Sequence, residues 1–114
     1  MTPAQNNRIL GFAIALKTRG VTLALRPGGE TFQALIEPAA NYQNRKTQTL
    51  TNEKVSDVIH ARRSDIASIE KKTGTIRVGS VFVCGDKEFR VVDRHDDAAN
   101  VVSIEFHCLS SKAT

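Results

Sequence analysis

The sequence predicts a small, mainly β domain, an antiparallel barrel or sandwich of about six strands with an N-terminal helix and a short helical turn. Three observations carry this. Apolar residues alternate with polar ones after Gly20, Gly- and Asp-rich turns punctuate the alternation, and the C-terminal third reads as a three-stranded meander. The 114 residues suit a single domain spanning residues 1–114, with no internal repeat and no inter-domain linker.

The first element is a helix, about Asn6–Thr18. Ile9, Ala13 and Leu16 fall on one side with Leu10 and Ile14 beside them, and Gly20 is placed to end it. Arg8 followed by the apolar run Ile9–Leu16 also has the outline of an export signal, with Ala13-Ile14-Ala15 as a cleavage site. The run is short and Lys17 and Arg19 follow it at once, which favours the helix. No apolar run approaches the roughly 20 residues a membrane-crossing helix needs, and no membrane role is expected.

Val21, Leu23 and Leu25 alternate with Thr22, Ala24 and Arg26, the pattern of a half-buried strand. Pro27-Gly28-Gly29 turns the chain, Phe32, Ala34 and Ile36 alternate again, and Pro38 closes the second strand. From Ala39 to about Lys54 the chain is polar and without period, a long loop for so small a domain. Val55, Val58 and Ile59 then lead a third strand into Ala61. Ser64-Asp65 starts a helical turn carrying Ile66 and Ile69, and Glu70 to Gly74 reads as a charged loop.

The meander covers about residues 78–109. Val81 to Cys84 form one strand, Gly85-Asp86-Lys87 turns it, and Glu88 to Val92 returns with Phe89 and Val91 on one face. His95-Asp96-Asp97 through Asn100 makes the next turn. In the last strand Val102, Ile104, Phe106 and Cys108 are expected inward, and Ser103, Glu105 and His107 outward. The N-terminal helix is expected to cover one open end of the barrel.

Chemistry is sparse in this pattern. Gly28-Gly29 precedes a strand and reads as a turn, not as a phosphate cradle. His95 with Asp93, Asp96 and Asp97 has metal-binding residue types, but Asp and Asn gather at hairpin turns because they bond the local backbone, and the turn reading is preferred. Cys84, His107 and Cys108 lack the spacing of a zinc knuckle, and adjacent strand residues point apart. The two cysteines read as small buried hydrophobes of a reducing compartment. No nucleophile–base set is apparent, so the expectation is no enzyme, with no catalytic residue, metal or cofactor.

A net charge of +4 is mildly basic. Arg45-Lys46 in the long loop and Arg62-Arg63 at the end of the third strand are candidate phosphate contacts, and Lys71-Lys72 is a further pair. Tyr42 is the one plausible exposed stacking platform for single-stranded nucleic acid.

Taken in order, the segment Val78-Gly79-Ser80-Val81-Phe82-Val83-Cys84-Gly85-Asp86-Lys87-Glu88-Phe89-Arg90-Val91-Val92 resembles a signature of phage neck proteins, the lambda-type head–tail joining or head-closure connectors. In those proteins a Gly-polar pair opens a strand, a Gly turn follows, and an aromatic-x-Val strand returns. An Asp-rich turn and an alternating strand come next, matched by Asp96-Asp97 and by Val101 to Leu109. Val58-Ile59-His60-Ala61-Arg62-Arg63-Ser64-Asp65-Ile66, the N-terminal helix, Gly20, Pro27-Gly28-Gly29 and Ile36-Glu37-Pro38 match in order, whereas Glu70 to Arg77 is longer than the family's usual connection.

The resemblance implies a structural protein of the virion neck, present in the host cytoplasm before assembly. It would join the portal of the DNA-filled head to the tail and close the head. Its partners would be portal or head-completion proteins, tail proteins and further copies of itself in a ring, and the isolated chain is free to be a monomer. The polar loop residues Asn41, Tyr42, Gln43, Asn44, Arg45, Lys46, Thr47, Gln48 and Thr49 are expected to bind a partner, with the ordering cost met at assembly. Arg45, Lys46, Arg62 and Arg63 are expected to face packaged DNA in the lumen. The alternative is a small barrel whose main function is nucleic-acid binding.

Overall fold

A computed structural model describes residues 3–26, 28–39, 55–96 and 102–112, with side chains from Leu10 onward. Helix α1 (Pro3–Arg19) leads into strands β1 (Val21–Arg26), β2 (Thr31–Pro38) and β3 (Asp57–Arg62). Helix α2 (Arg63–Thr73) follows directly, then β4 (Val81–Cys84), β5 (Lys87–His95) and β6 (Ser103–Lys112). The strands are antiparallel and close into a barrel in the order β1-β2-β3-β6-β5-β4. Closure is made by β1 against β4, with Leu25 opposite Phe82. It pairs the strand edges that an open sheet would leave bare.

Period-2 alternation decides the interior. Leu23 and Leu25, Phe32 and Ala34, Ile59 and Ala61, Phe82, Phe89 and Val91, and Ile104, Phe106 and Cys108 form one buried cluster. Each fully buried large side chain contributes roughly 1.5–3 kcal/mol from leaving water. Phe82 sits between Phe32 and Phe106, edge-on to both, with ring centroids 5.1 and 5.2 Å away. This contact joins β2, β4 and β6 across the barrel, in the edge-to-face arrangement that aromatic quadrupoles favour.

The barrel's core takes its helical residues from α2. Ile66 and Ile69, one turn apart, join the cluster together with Ile76 from the segment after the helix. The plugging role expected of the N-terminal helix thus belongs to the second one. The reason is connectivity: α2 starts where β3 ends, so its apolar stripe is delivered straight over the barrel mouth. Glu70 to Thr73, expected as a loop, continue α2, and Gly74 caps it at φ 88, donating its N–H to the Glu70 carbonyl. Between β4 and β5 Gly85 adopts φ 60 in a two-residue connection, a position that glycine fills without strain.

A second, smaller apolar cluster lies outside the barrel wall: Ala39, Val55, Val58 and Val92, with Leu109 against it. Ala39 and Val55, near the two ends of the expected long loop, are therefore packed together. The Ala39 N–H donates to the Ser56 carbonyl at 3.1 Å. The rest of that loop lies outside the described residues.

His107 and Ser103 of β6 point outward as expected, and Val58 of the outer cluster is the ladder partner of His107. His107 is 1% exposed and Ser103 7%, although both project away from the core. The outer side of β6 is covered at these points, so an outward residue is not a solvated one. A correction concerns β5, which runs to His95 instead of ending at Val92, so Asp93 and His95 are strand residues. The register shifts between Val91, opposite Cys108, and Asp93, opposite His107. Val91 joins the inner cluster and Val92 the outer one. A bulge of this kind re-aims the side chains that follow it.

Candidate functional site

Helix α1 is the element least absorbed by the fold. Leu16 is 2% exposed, whereas Leu10 and Ile14, one turn apart, are 61% and 55% exposed. The apolar stripe expected on this helix is thus divided, with one end seated against the domain and the other facing outward. The exit of α1 into β1 is fixed at Gly20, whose N–H donates to the Leu16 carbonyl at 2.9 Å. A Cβ at Gly20 would stand 2.3 Å from that oxygen, so only glycine fits the approach.

Beside α1 runs an open groove of about 550 Å³. Phe12 and Arg19 of the helix line one side, and Leu35, Ile36 and Glu37 of β2 with His60 of β3 line the other. Leu35 and His60 are partners across the β2–β3 ladder, so both project on the outer surface. The exposed Leu10–Ile14 stripe, the groove and the exposed cations Lys17 and Arg19 share one helix. Apolar area rimmed by charge is the composition of an interaction surface. A second groove, of about 420 Å³, lies between α2 and the β1–β2 hairpin and is lined mainly by polar residues, among them Thr22, Gln33, Asp65 and Ser68.

Of the basic candidates, Arg62 and Arg63 lie where β3 passes into α2. Arg62 Nε donates to Asp65 Oδ2 at 3.0 Å, within the first turn of α2. Arg63 Nη1 donates to Asp96 Oδ1 at 2.6 Å, across to the end of β5. Both charges thus have carboxylate partners, an arrangement that ties α2 to the barrel. Lys72 lies 3.9 Å from Glu30, and Arg26 pairs with Glu88. Asn41, Tyr42, Gln43, Asn44, Arg45, Lys46, Thr47, Gln48 and Thr49 fall outside the described residues, as do Asp97 and Asn100.

The strongest polar network holds α2 onto β5. Arg94 Nη1 donates to Glu70 Oε2 at 2.7 Å and to the Ile76 carbonyl at 2.5 Å, and Nη2 donates to Asp96 Oδ2 at 3.1 Å. Glu70 Oε2 also accepts the Ile76 N–H at 2.8 Å. The guanidinium lies 5.5 Å over the Phe106 ring. Burial works against the Arg94 charge, but hydrogen bonds to Glu70 and Asp96 outweigh it and raise the pKa. The Arg63 hydrogen bond holds the Asp96 carboxyl below its ordinary range, against the opposing effect of burial, and Arg94 adds to it.

Cys108 and His107 point to opposite sides of β6, as alternation requires. Cys108 lies in the core, where burial pushes its thiol pKa far up, and Cys84 is half-buried; both are free thiols. An inert, protonated thiol is what a packed interior produces. The described helices include none long and apolar enough to cross a membrane. Comparison of the chain with protein-family models gives no match, and comparison with curated proteins gives none either.

Proposed function

We propose that this chain is a structural neck protein of a long-tailed phage, joining the portal of the DNA-filled head to the tail as one subunit of a homo-oligomeric ring. The observation that carries the reading is the exposed Leu10–Ile14 stripe on a helix outside a closed barrel. Barrel closure pairs the strands around the wall, so neighbouring subunits have no bare sheet edge to extend. Association then falls to side-chain surfaces, and α1 offers two large exposed apolar side chains one turn apart. The ordered resemblance of residues 78–109 to the meander of neck connectors supplies the identity of the assembly.

Within this reading α1 and its groove contact the adjacent copy. The polar segment from Asn41 to Thr49 reaches the portal or a neighbouring subunit. The engagement of Arg62 and Arg63 by Asp65 and Asp96 leaves Arg45 and Lys46 as the first residues to test against packaged DNA.

The test adds purified protein to DNA-filled heads that lack their joining component, then adds tails, and scores particles by electron microscopy and infectivity. Wild-type protein restores joining. A Leu10→Asp, Ile14→Asp variant keeps the far-ultraviolet circular dichroism of the barrel and does not join. Failure of the wild type to bind portal-bearing heads, together with salt-sensitive binding to free DNA, replaces the proposal with the nucleic-acid reading.

A further inference from the structure

All three histidines of the sequence, His60, His95 and His107, project on the outer surface of neighbouring strands β3, β5 and β6. The two on β5 and β6 come together. Their rings stack with centroids 4.1 Å apart and planes inclined by 7°. Asp93 Oδ2 lies 3.0 Å from His95 Nε2. Asp93, His95 and His107 each bring a ligand atom within 4.8 Å of the other two.

Two features of the backbone make this cluster. Asp93 and His107 are direct partners in the β5–β6 ladder, and His95 follows Asp93 by two residues on the same side of its strand. Uninterrupted alternation from Phe89 and Val91 would send Asp93 into the apolar core. The bulge between Val91 and Asp93 turns it outward, beside His107. The sequence pattern Asp-Arg-His therefore acquires its meaning only from the extra residue in front of it.

We infer that Asp93, His95 and His107 form a binding site for a divalent transition-metal ion of the zinc class. Two imidazoles and one carboxylate are a ligand set suited to such ions, and a strand pair holding two of the ligands opposite one another limits the entropy lost on binding. Ligand atoms at roughly 2.0–2.2 Å from a tetrahedral zinc stand about 3.3–3.6 Å apart. The 3.0 Å Asp93–His95 separation is already near that, and closing the remainder requires one ring to turn off the stack. His95, with 32% of its side chain exposed, is the ring able to turn and the route by which an ion enters.

The surroundings fit a cation. Asp93 is 8% and His107 1% exposed, so the site is shielded from bulk water on the β6 side. Val58, paired with His107 across the β3–β6 ladder, supplies an apolar neighbour. Glu105 Oε1, 3.9 Å from His107 Nε2, brings a second carboxylate to the edge of the site, which balances the charge of a divalent ion and offers a fourth ligand. Bound there, the ion would cross-link β5 and β6 just before the segment that joins them. The inference is independent of the neck reading, since it uses none of the residues of α1's exposed stripe.

Tag-free protein, stripped with chelator and dialysed, is titrated with Co²⁺ and with Zn²⁺, using visible absorption for cobalt and calorimetry for zinc. The expected result is one ion per chain and ligand-field bands of a four- or five-coordinate cobalt. His95→Ala, at a partly exposed side chain, and the near-isosteric Asp93→Asn each weaken binding at least tenfold. Zinc raises the melting temperature of the wild type but not of His95→Ala. Sub-stoichiometric binding, or binding that His95→Ala and Asp93→Asn leave intact, overturns the site.

Discussion

The two helices carry similar apolar stripes and end in opposite situations. In α2, Ile66 and Ile69 are 0% and 6% exposed and belong to the barrel's core, whereas in α1 Leu10 and Ile14 are more than half exposed. α2 is also held by charge: Glu70 accepts from Arg94, and Arg63 donates to Asp96. α1 is anchored at its C-terminal end, through Leu16 and the tight Gly20 exit. Amphipathic periodicity says that a helix will bury one face; it does not say in whose interior. One helix buries its apolar face in the domain, and the other leaves two large apolar side chains exposed.

Substitutions on the two helices sharpen that contrast. The largest effect is expected at Ile66, where truncation to Ala leaves a cavity under the helix at the barrel mouth. Ile66→Ala should cost about 3 kcal/mol of unfolding free energy in chemical denaturation, within the usual range for buried Ile or Leu. A loss below about 1 kcal/mol would mean that α2 is not part of the cooperative core.

An intermediate effect is expected at Asp96, the carboxylate shared by Arg63 and Arg94. Its folded-state pKa is held below the ordinary 3.8. A depressed carboxylate pKa stabilises the fold above the unfolded value, and that contribution disappears as pH falls through the folded value. Asp96→Asn should therefore melt a few degrees below wild type near neutrality, because a partly exposed pair is worth roughly 0.2–1 kcal/mol. The two melting curves should converge as the pH drops well below 3.8. A gap that persists in acid would assign the effect to packing and not to charge.

The smallest effect on stability is expected on α1. Leu10→Ser with Ile14→Ser should change the unfolding free energy by no more than about 0.5 kcal/mol, as surface positions do. The same variant should lose particle joining. Strong destabilisation would place the stripe inside the fold and remove the main support for an assembly surface.

Much of the architecture was legible in order. Alternation at Leu23–Leu25, Phe32–Ala34 and Ile104–Phe106–Cys108 assigns inward residues correctly, because a strand's period of two is imposed by its own backbone. Gly20 and Gly85 mark a helix exit and a hairpin, because those positions demand a close approach or a positive φ. The reading weakened wherever a residue's neighbours came from distant chain. Alternation points His107 outward, which is its direction, but it is buried because the outer cluster, with its ladder partner Val58, lies on that side of the wall. Its charged composition reads Glu70 as loop, yet Glu70 lies in α2, where it accepts hydrogen bonds from Arg94 of β5 and from the Ile76 N–H.

Local pattern is enough to specify a mainly β domain, the order of its strands and turns, and the identity of most core residues. These follow from local backbone periodicity and from turn residues whose conformations are intrinsic. Tertiary structure alone decided that the sheet closes, that α2 and not α1 plugs it, and that a bulge after Val91 carries Asp93 and His95 to the side of His107. Each of those outcomes depends on contacts between segments far apart in the chain, and register across strands is set by packing rather than by any single strand's composition.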